Sequence, residues 1–168
     1  MIGQIGIVRG DGIVPAVIRA ATGGAVSHVI IHVGDDMVVS PQLGGAILRP
    51  VTDYPGAVWS RFRFLPWQGQ AVADFALSHL GAPYDLASAA AVVLARALTM
   101  HLPPDRQFKF YQCAQLAEDA LINAGVLLYP DGREPGPATP KNFQTLFIAR
   151  GWASPDLFRP AKRPFTRV

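Results

Sequence analysis

The chain has 168 residues, half of them hydrophobic and 16% charged, with a formal net charge of +3. That is about one domain's length, enough to bury a core, and too apolar for a disordered chain. Much of the basic excess falls in the last stretch, FRPAKRPFTRV, with no basic helix or aromatic-interleaved basic sheet elsewhere, so nucleic acid is not the expected partner.

In chain order, residues 1–12 (MIGQIGIVRGDG) hold a short strand that ends in a Gly-Asp-Gly turn. They lack a positive segment followed by a long apolar stretch and a small-residue cleavage site. The expectation is therefore cytoplasmic action, with delivery inside a virion as the other setting. Residues 13–24 (IVPAVIRAATGG) read as a short helix closed by Gly-Gly. Residues 28–40 (HVIIHVGDDMVVS) form two β-branched runs around Gly34-Asp35-Asp36, the pattern of a hairpin. Residues 46–67 suggest further strands, with Trp59, Arg61, Arg63 and Leu65 on one face and Phe62 and Phe64 on the other.

From residue 69 the period changes. Residues 70–81 read as a helix ended by Gly81, residues 86–100 as a second helix, and residues 112–125 as a third that stops at Gly125. The second is apolar, but Arg96 interrupts it short of the roughly 18–20 residues a membrane span needs, so no transmembrane segment is expected. Residues 129–140 are a Pro/Gly loop, and residues 141–152 a short closing helix or strand. Strands gather early and helices late, which predicts an α+β fold rather than a doubly wound sheet. The whole chain, 1–168, reads as a single domain. Residues 155–168 form a basic, proline-containing tail suited to docking on a protein partner.

Cys113 is the one cysteine, which excludes an intramolecular disulfide and fits a reducing compartment. It falls in the opening turn of the third helix, where unpaired N–H groups and the helix dipole favour a thiolate and predict a lowered pKa. As a small hydrophobe in the core it would instead be inert. A nucleophilic thiol needs a base, and the chain has four histidines: His28, His32, His79 and His101. His79 near a helix end and His101 in a proline-flanked exit fit capping or solvated roles. His28 opens a strand, where it can approach a helix N-terminus. On a strand His28 and His32 share a face but stand about 13 Å apart, too far to hold one ion, so His32 is read as structural and no metal is expected. Nothing in the pattern requires a cofactor.

The order of these pieces, residues 6–41 followed by LGAPYD, FYQCAQLAEDALINAG and ATPKNFQ, resembles the circularly permuted branch of the NlpC superfamily of papain-like cysteine hydrolases. The resemblance runs over roughly residues 3 to 147. It implies an antiparallel sheet packed against a helical layer that bears the cysteine helix. The family's SHVGI-like strand carries its general base, which implies that role for His28. The cysteine at the family's helix start is its nucleophile, which implies Cys113. The Gly-x-Pro-Tyr-Asp signature falls on Gly81, Pro83, Tyr84 and Asp85. The family's third polar residue falls at Ser40, with Gln42 two residues on; either would orient the imidazole less firmly than a carboxylate. The sequence also departs from the family by reading CAQL where CSEL is frequent. Tyr84, Tyr111 and Gln112 are the residues expected to line the substrate groove.

What the resemblance implies is a thiol peptidase or amidase acting on peptide-like substrates, including cell-wall peptides, through an acyl-enzyme. The related lecithin–retinol acyltransferase group implies an alternative, lipid or thioester acyl transfer, with residues 86–100 supplying an acyl groove. A third reading keeps the fold without turnover, as a structural or binding subunit of a phage tail or envelope assembly.

Overall fold

The computed structural model describes residues 1–42, 44–82, 113–128 and 138–158. The expected helix at 86–100, the groove residues Tyr84, Tyr111 and Gln112, and Pro83, Asp85 and His101 lie outside the described residues. The elements are β1 (Ile5–Val8), α1 (Ile13–Thr22), β2 (His28–Gly34), β3 (Met37–Gln42), β4 (Gly45–Pro50), β5 (Val58–Trp59), α2 (Gln68–Ser78), α3 (Cys113–Asn123) and α4 (Pro140–Ala149). The strands make one antiparallel sheet in the order β4-β3-β2-β1-β5. The class is α+β, as the sequence pattern predicts.

The β2–β3 hairpin is the centre of the sheet. Asp35 and Asp36 both adopt left-handed backbone, with φ of 47° and 53°, which short Asp side chains tolerate and which matches the twist of the flanking strands. Alternation then divides β2 between two faces. Val29 and Ile31 join Ile5, Ile7 and Val39 under the helices, where they meet Val72 and Ala76 of α2, Leu116, Ala117, Ala120 and Leu121 of α3, and Phe143 and Phe147 of α4. His28, Ile30 and His32 take the opposite face. There Gly6 has no room for a side chain, since a Cβ would lie 2.7 Å from Ile30 Cγ1 and 3.0 Å from Trp59 Cζ3. His32 packs edge-on against Trp59 with centroids 5.7 Å apart and accepts from the Gly34 N–H.

The stretch after Trp59 departs from the expected strand. β5 has two residues, and residues 60–65 are irregular. Side chains take over from the backbone ladder here. Gln4 donates to the Phe62 carbonyl at 2.9 Å and accepts from the Phe62 N–H at 3.0 Å, and Ser60 Oγ accepts from the Ile5 N–H at 2.8 Å. With these groups satisfied, no partner strand is needed. The expected division of faces persists: Phe62 stacks on Phe64 and packs toward the core, while Arg61, Arg63 and Leu65 are exposed.

The closing segment is a helix, started by a capping box in which the Thr139 side chain and the Asn142 backbone, and the Asn142 side chain and the Thr139 backbone, satisfy each other, with Pro140 at its first position. The tail expected from residue 155 begins with a 3-10 turn, Pro155–Phe158, whose Phe158 packs against the core. Residues 159–168 lie outside the described residues.

Candidate active site

His28 is the first residue of β2 and partly buried. Its Nε2 lies 2.7 Å from Ser40 Oγ on the neighbouring strand. Ser40 is fully buried, and two further groups converge on its hydroxyl: Tyr54 Oη at 2.6 Å and the Gln42 amide nitrogen at 3.2 Å. Gln42 also donates to Tyr54 Oη at 3.0 Å. Of the two expected orienting residues, Ser40 therefore touches the imidazole, and Gln42 acts on Ser40. The Tyr54 ring stands 6.2 Å from the imidazole.

Tyr54 is absent from the sequence-derived site. It follows the 3-10 turn Val51–Asp53 and precedes Pro55-Gly56, midway along the β4–β5 connection. Its contact with Ser40 spans fourteen positions, so no spacing rule reaches it. The available signal was a lone tyrosine opening a Tyr-Pro-Gly turn beside a sheet, which most often marks packing alone.

Withdrawal from water pulls the His28 pKa down to about 4. No carboxylate is among its hydrogen-bond partners in the described residues. The imidazole is neutral at pH 7.

Cys113 opens α3 and is 4% exposed. The expected lowering of its pKa is overturned: burial pushes the thiol up to about 11. Backbone hydrogen bonds with Val29, Ala114 and Cys113 itself pull the other way, as the helix-start argument requires, but desolvation of a thiolate in this apolar packing outweighs them. The Val29 contact also locates the sulfur beside β2, at the residue after His28. No hydrogen bond joins Cys113 to His28 in the described residues. Ser40 holds Nε2, and no described residue is hydrogen-bonded to Nδ1.

A cleft of about 590 Å³ opens at the histidine end, lined among others by His28, Gln42, Tyr54, Val14, Pro15 and Ile18. Its rim is anchored by Arg19, which donates from Nη1 to the Arg9 and Gly10 carbonyls, both at 2.7 Å, and by a Ser27 hydroxyl bond to the Arg9 carbonyl. Arg9, Asp11 and Asp53 add charge to a wall that mixes these polar side chains with apolar ones. The chain matches no protein-family model and no curated protein.

Among the described residues, His32 and His79 take no part in this constellation. His79 follows the end of α2, with Nδ1 2.7 Å from the Phe75 carbonyl and its ring 4.4 Å from the Phe75 ring. Among the described residues no group of three metal-binding side chains occurs, and no helix is long and apolar enough to cross a membrane.

Proposed function

We propose that the chain is a cysteine-dependent amide hydrolase built on a permuted papain-like fold, with Cys113 as nucleophile and His28 as general base. The observation that carries this reading is the His28–Ser40 pair at the start of β2, the strand whose Val29 backbone holds the Cys113 sulfur at the opening of α3. The order of elements, a histidine-bearing strand preceding a cysteine-bearing helix that packs on it, supports the same fold.

The two pKa shifts specify how such a pair works. Between about pH 4 and about pH 11 both partners are neutral, so the thiolate is not stored before substrate arrives. The thiol proton passes to Nδ1 as sulfur attacks the carbonyl carbon, and the S–H electron pair becomes the new S–C bond. The Cys113 N–H, in the opening turn of α3, steadies the oxyanion in this reading. His28 then protonates the departing amine, and a water molecule, giving its proton to Nδ1, releases the acyl group and regenerates the thiol. Substrates are peptide-like acyl compounds, with cell-wall peptides as the biological class.

A second reading, acyl transfer from lipids or thioesters, draws on the cleft wall of Val14, Pro15 and Ile18 beside His28. Intact-mass spectrometry after incubation with activated peptide amides and with acyl thioesters tests both. A mass gain on Cys113 that is absent in Cys113→Ser supports catalysis, and the acyl donor that gives it selects the substrate class. No adduct with either donor would overturn the enzyme reading in favour of a structural or binding module.

A further inference from the structure

A serine hydroxyl has one proton and two lone pairs, yet Ser40 has three close polar neighbours. Gln42 approaches through its amide nitrogen, which only donates, so it occupies one lone pair of Ser40 at 3.2 Å and one of Tyr54 at 3.0 Å. Two arrangements of the remaining protons are then possible. In one, Tyr54 O–H donates to Ser40 and Ser40 O–H donates to His28 Nε2, so the neutral imidazole carries its proton on Nδ1. In the other, His28 Nε2–H donates to Ser40, Ser40 O–H donates to Tyr54 Oη, and Tyr54 turns its own proton into the cleft it lines.

We propose that Tyr54 is a positioning residue: with Ser40 it forms a two-hydroxyl relay that reorients either to donate to His28 Nε2 or to accept its N–H, so that both neutral tautomers and the imidazolium are held without an ionised partner. The proposal rests on the reading of His28 as the base for Cys113. Only the second arrangement leaves a lone pair on Nδ1 for the thiol proton. When that proton arrives, the S–H bond breaks with its electrons left on sulfur, and an Nδ1–H bond forms. The new imidazolium donates a hydrogen bond from Nε2 to Ser40, whose own O–H donates to Tyr54 Oη.

The relay supplies what a carboxylate would otherwise provide. The other titratable groups around the histidine are Arg9, Asp11 and Asp53 on the cleft wall and Cys113 on the helix side, and none is a hydrogen-bond partner of the imidazole in the described residues. Burial of Ser40 confines its proton to these neighbours, whereas Tyr54 reaches the cleft, so reorientation is driven from the substrate side.

Tyr54→Phe keeps the ring beside the imidazole and removes the hydroxyl. Ser40 then has His28 Nε2 as its one acceptor in the cluster, and the imidazole is locked with its proton on Nδ1. Long-range ¹H–¹⁵N spectra of His28 at neutral pH are expected to show nitrogen shifts averaged between the two tautomers in the parent, and a pure Nδ1–H form in Tyr54→Phe. Iodoacetamide alkylation of Cys113 at pH 7 is expected to fall on the order of tenfold in the variant, a fraction of a full general-base contribution. In a Ser40→Ala background, Tyr54→Phe should change alkylation no further, because the tyrosine acts only through the serine.

Identical tautomer populations in parent and Tyr54→Phe would overturn the relay, as would an additional loss in the Ser40→Ala background. The tautomer readout does not depend on the thiol. A tautomer shift with alkylation indifferent to His28→Ala would sustain the relay and sink the hydrolase reading, whereas the reverse pattern would do the opposite.

Discussion

The two ends of the site sit on neighbouring residues of one strand and have opposite surroundings. At His28 the sheet presents a polar cluster, with His28, Ser40, Gln42 and Tyr54 joined by four hydrogen bonds and open to a cleft. At Val29 it presents the helix-covered core, where Cys113 lies among aliphatic side chains. Yet burial acts on both ends in the same sense, disfavouring the charged form of each. What differs is where a proton can go. The histidine end has a hydroxyl chain to the cleft, and the cysteine end has only backbone partners among the described residues.

The sharpest break in this comparison is Cys113→Ser, which replaces the thiol by a far weaker acid in the same buried place. Acyl transfer is expected to fall to background in a substrate assay, with the fold retained by circular dichroism. His28→Ala comes next, lowering kcat/KM on the order of 10²–10⁴-fold, the usual share of a general acid–base. Equal activity in the two variants would place the whole contribution of the histidine in its partnership with sulfur.

The orienting pair separates Ser40 from Gln42. Ser40→Ala leaves three polar groups without their shared partner and should cost ~1–3 kcal/mol in denaturant unfolding, since unmade buried hydrogen bonds are expensive. Gln42→Ala removes one long bond to Ser40 and one to Tyr54 at the cleft edge, where water replaces them, and is expected to cost less than 1 kcal/mol on the order-of-magnitude scale of partly exposed hydrogen bonds. A larger loss for Gln42→Ala would reverse the assignment of the hub.

Stability against pH reads both ends at once. The His28 pKa falls from 6.5 to about 4 on folding, so the unfolded chain takes up protons first and stability declines as pH drops through that window. The Cys113 pKa rises from 9.0 to about 11, so the unfolded chain loses its proton first and stability declines as pH rises through that window. Thermal unfolding should thus show a plateau between, with each limb worth up to ~3 kcal/mol. His28→Ala should flatten the acid limb and Cys113→Ala the alkaline one.

The sequence made β1, the β2–β3 hairpin and the cysteine helix legible because each is local: alternation, a Gly-Asp-Asp turn and a helical period ended by Gly125. It also set His28 and His32 on one face by counting, and the hairpin returned Ser40 to the histidine. Three features needed tertiary structure. Residues 60–65 alternate like a strand, but Phe62 bonds to the Gln4 side chain and the Ser60 hydroxyl accepts from the Ile5 N–H, and the amide of a residue near the N-terminus leaves no mark on that stretch. Tyr54 reaches Ser40 through a turn whose geometry no periodicity describes. The Cys113 pKa has opposite local and global contributions, a helix start that lowers it and burial that raises it, and only the local one is visible in a sequence.

The central claim is that a neutral thiol and a neutral imidazole act together, and the rate of iodoacetamide alkylation of Cys113 from about pH 4 to pH 11 tests it most directly in the parent and in His28→Ala. In the variant the rate should follow the thiolate fraction alone, rising about tenfold per pH unit toward the thiol pKa. The parent should rise through the imidazole pKa near 4 and hold a plateau above the variant's line until the thiolate overtakes it. Superimposed profiles would contradict the account, because they would mean that His28 never takes the Cys113 proton.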